Sequence, residues 1–259
     1  MPGGVTGGAG RSLRRSRWTT LERDLRRAGG DIIAGVDEVG RGSLAGPVVA
    51  CAIIMPPHAR ALRGVDDSKA LPAAERRRLS RLILERAVAV GLGAASVAEI
   101  DRLNIYHAST LAMRRALGRL AVSPDHVLID GRPIRALGRA HTAVVHGDDR
   151  CFSIACASIV AKVTRDRLMT SLAGRHPPYA WERNAGYATR VHIEALREFG
   201  TCCHHRRSFL VKALSDVLPA HGDVLPTDED PGPPDPSILP TYVMGVAELP
   251  ASISKNVDA

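Results

Sequence analysis

Carboxylates follow short apolar stretches at three separate places in the sequence. Asp37 and Glu38 come directly after IIAGV, Asp130 ends the run HVLID, and Asp148 closes VVHGD. An apolar strand that ends in an acid places the carboxylate at the rim of a sheet, where α/β proteins bind ligands. Oxygen ligands without His or Cys at metal-binding spacing favour Mg2+ or Mn2+. The pattern therefore indicates a two-metal site for phosphodiester hydrolysis, in which one ion activates water and the other stabilises the leaving oxygen.

Each of these acids also has a simpler explanation. Asp followed by Gly is a common turn signal, so any one of them can be a turn or cap residue with no shared role. Adjacent strand residues also point to opposite faces. Asp37 and Glu38 can share a site only if the strand bends or ends there, which Gly40 permits.

The glycine-rich stretch GRGSLAG follows the first two acids. Its spacing is GxGxxxG rather than the GxGxxG of dinucleotide-binding turns, and Pro47 and the apolar run after it leave no helix N-terminus for a pyrophosphate. We instead expect the glycines to let a nucleic-acid backbone approach, so that Arg41 and nearby amides meet a phosphate or a 2′-hydroxyl.

A second positively charged feature is predicted on a long helix at 152–172. Ser158, Lys162 and Arg165 fall at i, i+4 and i+7 and share one face. A solvated charged face is an equally open interpretation, and Asp166 can simply pair with Lys162.

Histidines and cysteines give weaker signals. The four consecutive residues CCHH at 202–205 cannot surround one tetrahedral zinc ion, because such sites need loops between pairs of ligands. We predict that the segment HHRRSF forms a basic surface near substrate. His107 and His192 are interpreted as helix-surface or packing residues.

Alternating strands and helices must position these groups. Strands are predicted at 32–37, 47–55, 88–97, 126–130 and 142–146, and helices at 73–87, 99–120, 152–172 and 190–199. This mixture predicts an α/β fold.

Composition suggests three regions and a polyanionic partner. The 259 residues carry a net charge of +8, although the stretch from residue 223 onward holds seven acids and one lysine. We expect a basic, loosely ordered extension at 1–30 with a short helix at 20–27, one catalytic domain at 31–217, and an acidic, proline-rich, disordered tail at 218–259. The basic body favours nucleic acid over an anionic membrane as the partner.

The same survey predicts a cytoplasmic protein. No apolar run reaches the length of a membrane span, and the arginines near the N-terminus are not followed by the apolar region of a secretory signal. Five cysteines without a CxxC pair fit a reducing compartment.

Several long motifs, in order, resemble the ribonuclease HII family across roughly residues 31–213. They are AGVDEVGRGSLAGPVV, DDSK, EIDRLNIYHAST, VLIDG, GD, ASIVAKVTRD, GY and HHRRSF. The resemblance implies a ribonuclease H-like fold with a mixed five-stranded sheet, flanking helices and a helical C-terminal portion. It implies hydrolysis of the RNA strand of RNA–DNA hybrids and incision 5′ to single ribonucleotides in duplex DNA, which leaves 5′-phosphate and 3′-hydroxyl ends.

The resemblance also assigns roles to residues. Two Mn2+ or Mg2+ ions would be held by Asp37, Glu38, Asp130 and Asp148. Gly40, Arg41 and Gly42 would sense the ribose, and Tyr187 would stack at the RNA–DNA junction. Phosphate contacts would come from Ser68, Lys69, Ser158 and Lys162. We expect a monomer with no membrane association and no small-molecule cofactor.

Two positions depart from the family pattern. Members often have lysine before the GD pair and before GY, where this chain has His146 and Ala185. We expect weaker phosphate contact or an altered salt dependence, with the metal ligands intact.

Two other classes of function remain open on the residues alone. One is a non-catalytic nucleic-acid-binding protein, which would need no divalent ion. The other is a structure-selective nuclease that acts on DNA alone and needs no 2′-hydroxyl.

Overall fold

The computed structural model describes residues 20–57, 62, 64–65, 71–210 and 242–243, and the masked positions include Ser68 and Lys69. A mixed sheet forms the centre of the molecule. Its strands are β1 (Ile33–Val39), β2 (Val48–Ile54), β3 (Ala89–Ala95), β4 (His126–Asp130) and β5 (Thr142–Val144). The five predicted strands are confirmed. A two-residue strand, β6 (Tyr242–Val243), pairs with β3 inside the stretch expected to be disordered, and the sequence analysis did not predict it.

The strand order β5–β4–β1–β2–β3–β6 combines two kinds of pairing. β1 is antiparallel to β2, and β2 is antiparallel to β3. β1 is parallel to β4, and β4 is parallel to β5. The C-terminal ends of β1, β4 and β5 therefore lie at one edge of the sheet, and this edge carries the predicted acids.

Helices cover both faces of the sheet. They are α1 (Thr20–Arg27), α2 (Ala73–Arg86), α3 (Val97–Gly118), α4 (Gly147–Arg150), α5 (Phe152–Ala173), α6 (Trp181–Asn184) and α7 (Arg190–Phe199), with 3-10 turns at Arg135–Leu137 and Pro177–Tyr179. Side chains of β2 alternate between the faces: Val49, Cys51 and Ile53 pack with α2 and α5, whereas Val48 and Ala50 pack with α3. These two apolar layers confirm the α/β fold.

Close packing of α5 on β1 depends on Gly35. A Cβ at this position would overlap the backbone of Ser153 and Ile154. The absence of a side chain brings the N-terminal half of α5 directly over the strand. As a result Ser158 reaches the carboxylate of Asp37 with a hydrogen bond.

Helix α3 begins two residues earlier than predicted because Ser96 forms a capping box. Its hydroxyl accepts from the amide of Glu99 at 3.2 Å, and the Glu99 carboxylate accepts from the amide of Ser96 at 2.9 Å. The helix is interrupted at Asn104, where φ is 65°. The Asn104 Oδ1 atom accepts from the next free amides, those of Tyr106 and His107, and so restarts the helix.

Helix α1 matches the predicted short helix and packs on the domain. Leu21 and Leu25 contact the apolar cluster that contains Ile33 and Ile154. The buried Glu22 accepts from the amide of Ser153 at 2.8 Å, near the start of α5. Packed structure therefore begins before residue 31. Among the described residues, no helix combines the length and apolar character needed to cross a bilayer.

Candidate active site

Asp37 and Glu38 lie near the C-terminal end of β1 and make different contacts. Asp37 is only 8% exposed, and its Oδ1 atom accepts from the amide of Glu38 at 2.7 Å. Glu38 instead forms an ion pair with the half-exposed Arg41 at 3.0 Å. The chain turns sharply at Gly40, where φ is 91°, and this turn brings Arg41 back over the strand end.

Asp130, at the end of β4, is connected to the segment that carries Asp148. Its Oδ1 atom accepts from the amide of Gly147 at 2.7 Å. A Cβ at Gly147 would lie 2.6 Å from the Ile154 side chain and 3.2 Å from this same Asp130 oxygen. Glycine therefore allows the GD pair to approach the strand end, with Asp148 in the following turn of α4.

The carboxylates of Asp37, Glu38 and Asp130 repel one another at this edge of the sheet. Burial raises the pKa of Asp37 well above its ordinary value, and the neighbouring carboxylates of Glu38 and Asp130 raise it further. Burial also raises the pKa of Glu38, although Arg41 opposes that change. Cations placed among these oxygens would relieve the repulsion.

The acidic side chains are not tightly clustered. Within the described ranges, no three His, Cys, Asp or Glu side chains are grouped closely enough to hold one metal. In this arrangement Arg41 donates to Glu38, and the Gly147 amide donates to one oxygen of Asp130. The oxygen donors and the repulsion between them nevertheless fit divalent cations, provided that side chains such as Glu38 rotate.

The Gly-Arg-Gly turn at 40–42 lies against Arg206, which is fully buried. This guanidinium donates to the carbonyl of Gly40 at 2.7 Å, to that of Arg41 at 2.9 Å and to that of Gly46 at 2.8 and 2.9 Å. The prediction that HHRRSF forms a basic surface is wrong for His205 and Arg206, because both are buried beneath the turn. Their polar atoms are used inside the protein.

The predicted basic face of α5 is also wrong at Arg165. This side chain is fully buried and donates to three carbonyls, those of Pro47, Ala185 and Ala45, at 2.8 to 3.0 Å. Lys162 remains partly exposed and pairs with Asp166 at 2.6 Å, which is the pairing left open above.

Tyr187 lies beside these cations. The Lys162 ammonium is 6.0 Å from the centre of its ring, and the Arg165 guanidinium is 5.7 Å from it. The half-buried ring is therefore close to the proposed phosphate-binding face of α5. Ser158 is buried on the same face and contacts Asp37.

A buried chain of hydrogen bonds reaches the backbone of Tyr187. Cys202 donates through its amide to His205 at 3.0 Å, the Nε2 atoms of His205 and His192 are 3.1 Å apart, and the His192 Nδ1 atom lies 2.9 Å from the Tyr187 carbonyl. Trp181 also donates to His192. His192 is thus a packing residue, as predicted, whereas His107 is exposed on α3.

The residues that hold the site in place were not predicted from the sequence. The sequence pattern assigned no role to Gly147 and indicated surface positions for Arg165 and Arg206. His146 and Ala185, which stand where family members often have lysine, both adopt left-handed backbone conformations, with φ of 54° and 48°. The expected phosphate ligands Ser68 and Lys69 lie outside the described residues.

A mixed sheet with helices on both faces is a ribonuclease H-like fold. The solved ribonuclease H2 of Pyrococcus horikoshii has the same fold: the TM-score is 0.61 at 24% identity, and the match covers 71% of this chain and 98% of that one.

Sequence comparisons place the chain more narrowly. The sequence model of ribonuclease HII matches residues 34–212. The ribonuclease HII of Granulibacter bethesdensis is 53% identical over 207 residues, which are 77% of this chain and 94% of that protein. That of Thermosynechococcus vestitus is 54% identical over 183 residues, 70% of this chain and 85% of that protein. The chain belongs to the ribonuclease HII family, metal-dependent endoribonucleases that cleave the RNA of RNA–DNA hybrids.

Proposed function

We propose that this enzyme, besides cleaving hybrids, incises duplex DNA on the 5′ side of a single embedded ribonucleotide and leaves 5′-phosphate and 3′-hydroxyl ends. The observation that carries the proposal is the position of the Gly-Arg-Gly turn, which directly follows Asp37 and Glu38 and pairs with Glu38 through Arg41. A group that contacts one ribose is thereby located beside the groups that would cleave the adjacent phosphodiester.

Asp37, Glu38, Asp130 and Asp148 would hold two divalent ions, either Mn2+ or Mg2+. When bound, such ions activate the attacking water and stabilise the leaving oxygen. The burial of Asp37 and its repulsion by the carboxylates of Glu38 and Asp130 support this assignment, since a bound ion would neutralise charge at this edge.

The remaining site residues would bind and orient the substrate. Gly42, beside open space, would let a sugar–phosphate backbone approach, and Gly40 makes room for Arg165 beneath the turn. Arg41 contributes a partly exposed positive charge. Lys162 and Ser158 on α5 would contact the phosphates, and so would Ser68 and Lys69, which lie outside the described residues. Tyr187 would stack on a base or sugar at the junction, which its half-exposed ring permits.

The experiment compares a labelled duplex that contains one ribonucleotide with its all-DNA twin, with and without Mn2+ or Mg2+. We expect cleavage of the first duplex alone, and only with the metal. Asp37→Asn should reduce cleavage more than about 100-fold. Residues that only orient metal ligands already contribute about 10- to 100-fold, and Asp37 would be a direct ligand. The variant should still bind the hybrid.

Each alternative class predicts a different result. A non-catalytic binding protein would cleave neither duplex and would show a strong salt dependence of binding. A nuclease that acts on DNA alone would cleave both duplexes equally. Near-normal activity of Asp37→Asn would contradict the assignment of the acids.

A further inference from the structure

Two fully buried arginines lie beneath the substrate-reading segments without a carboxylate partner among their described hydrogen bonds. Arg165 and Arg206 together donate seven hydrogen bonds, and every acceptor is a backbone carbonyl. Burying an unpaired charge is costly, so such groups persist where they satisfy specific acceptors. Here five of the six acceptor carbonyls belong to residues 40–47, and the sixth is that of Ala185.

Arg206 determines which way the peptide groups of the turn point. The carbonyls of Gly40 and Arg41 are directed inward to its guanidinium. In a trans peptide, the C=O group and the following N–H group point in opposite directions. The amides of Arg41 and Gly42 therefore face away from Arg206, and both residues are exposed.

Arg165 connects the segment that follows the turn, at Ala45 and Pro47, to the segment before Tyr187. It donates to Pro47 and Ala45 on one side and to Ala185 on the other, and its guanidinium faces the Tyr187 ring. A second link joins the same segments, because the Gly186 carbonyl accepts from the Leu44 amide at 2.8 Å. Arg165 also packs closely against Gly40, where a Cβ would overlap its guanidinium.

We propose that Arg165 and Arg206 are positioning residues, which fix the amides of the Gly-Arg-Gly turn and the ring of Tyr187 relative to each other so that a single ribose is recognised. This inference rests on the proposed reading of one ribonucleotide by that turn. Neither arginine touches substrate. Burial lowers the pKa of Arg206 to about 9, and the positive charge of Arg165 contributes to the shift.

The test replaces each arginine by lysine, which is also basic but has a single ammonium in place of the planar five-donor guanidinium, so it cannot reach the same spread of carbonyls. Arg206→Lys and Arg165→Lys are compared with Arg197→Lys, a matched change on the exposed surface of α7. The substrates are a duplex with one ribonucleotide and a continuous RNA–DNA hybrid, each assayed for kcat and KM well below the unfolding temperature.

We expect the two buried variants to raise KM and to lose about 10- to 100-fold in kcat/KM on the single ribonucleotide, the scale of a misplacement near 1 Å. The loss on the continuous hybrid should be smaller, because several 2′-hydroxyls there contribute to binding. Arg197→Lys should behave like the parent.

A merely structural role has a different signature. Loss of folded enzyme lowers kcat on both substrates by the same factor and leaves both KM values unchanged, and that result would overturn the inference. Failure of both variants to fold, measured by circular dichroism, would also overturn the inference, because it would show that the two arginines are needed for folding. If the parent enzyme itself ignores the single ribonucleotide, the proposed function fails, and the inference fails with it.

Discussion

The buried histidine pair makes the stability of this enzyme sensitive to mild acid. Burial and the adjacent His192 lower the pKa of His205 from 6.5 to about 3, and the His205 side chain is 3% exposed. Between these two pH values His205 is protonated in the unfolded chain but neutral in the folded protein. Protonation therefore favours unfolding, and the free energy of unfolding should fall as the pH drops below about 6.5.

The size of the effect follows from the two pKa values. At pH 5 the unfolded imidazole is almost fully protonated and the folded one is neutral, which removes about 2 kcal/mol relative to pH 7.5. Asp37, Glu38 and Glu22 act in the opposite direction, because their raised pKa values let the folded state bind protons first. The total pH dependence is consequently a sum, and a variant is needed to isolate the histidine.

His205→Gln retains a donor for His192 and an acceptor for Cys202 but cannot titrate. Urea unfolding of the parent and the variant at several pH values between 5 and 7.5 gives the difference in free energy at each pH. We expect the variant to regain about 2 kcal/mol relative to the parent on going from pH 7.5 to 5. His107→Gln, at an exposed position, is the matched control. Parallel curves for the parent and His205→Gln would refute the reasoning.

Three further predictions concern a cap, a buried acid and a departure from the family pattern. Ser96→Ala removes half of a capping box and should reduce the unfolding free energy by about 1 kcal/mol, measured with urea, whereas Ser96→Asn should retain most of it. Glu22→Ala leaves the buried amide of Ser153 without its acceptor and should cost about 1 to 3 kcal/mol; Glu22→Gln, which still offers an oxygen, should cost less, and equal losses would count against the hydrogen bond. His146→Lys adds a cation beside Asp148 and should tighten hybrid binding and steepen its salt dependence by about one counterion, as titrated by fluorescence anisotropy. An unchanged salt slope would show that this position does not contact phosphate.

The strand ends and their acids could be predicted because the signal is local. Each strand is an apolar run a few residues long, and a carboxylate that ends such a run stands out, as Asp130 does in HVLID. The parallel arrangement of β1, β4 and β5 then brings the acids to one edge. The α/β class followed from the same alternation of strands and helices.

The supporting groups could not be predicted, because their partners are distant in the sequence. Arg165 and Arg206 bind carbonyls 118 to 166 residues away, apart from that of Ala185, and a carbonyl has no residue-specific signature. An arginine at i+7 from a serine fits an exposed face as well as a buried one. The pairing of β6 with β3 was missed for a similar reason, since it joins segments far apart in the sequence.

The mixed pairing of the sheet also has a kinetic consequence. Strands β1, β2 and β3 are consecutive and antiparallel, so they can associate as soon as the first third of the chain is available. The alignment of β1 with β4 joins segments that lie 93 residues apart, as in the bond from Ile32 to Asp125, and the entropy of closing so large a loop delays it. We therefore expect the acidic edge to form late, and a half-made chain, which ends before Asp148, to be unable to cut nucleic acid.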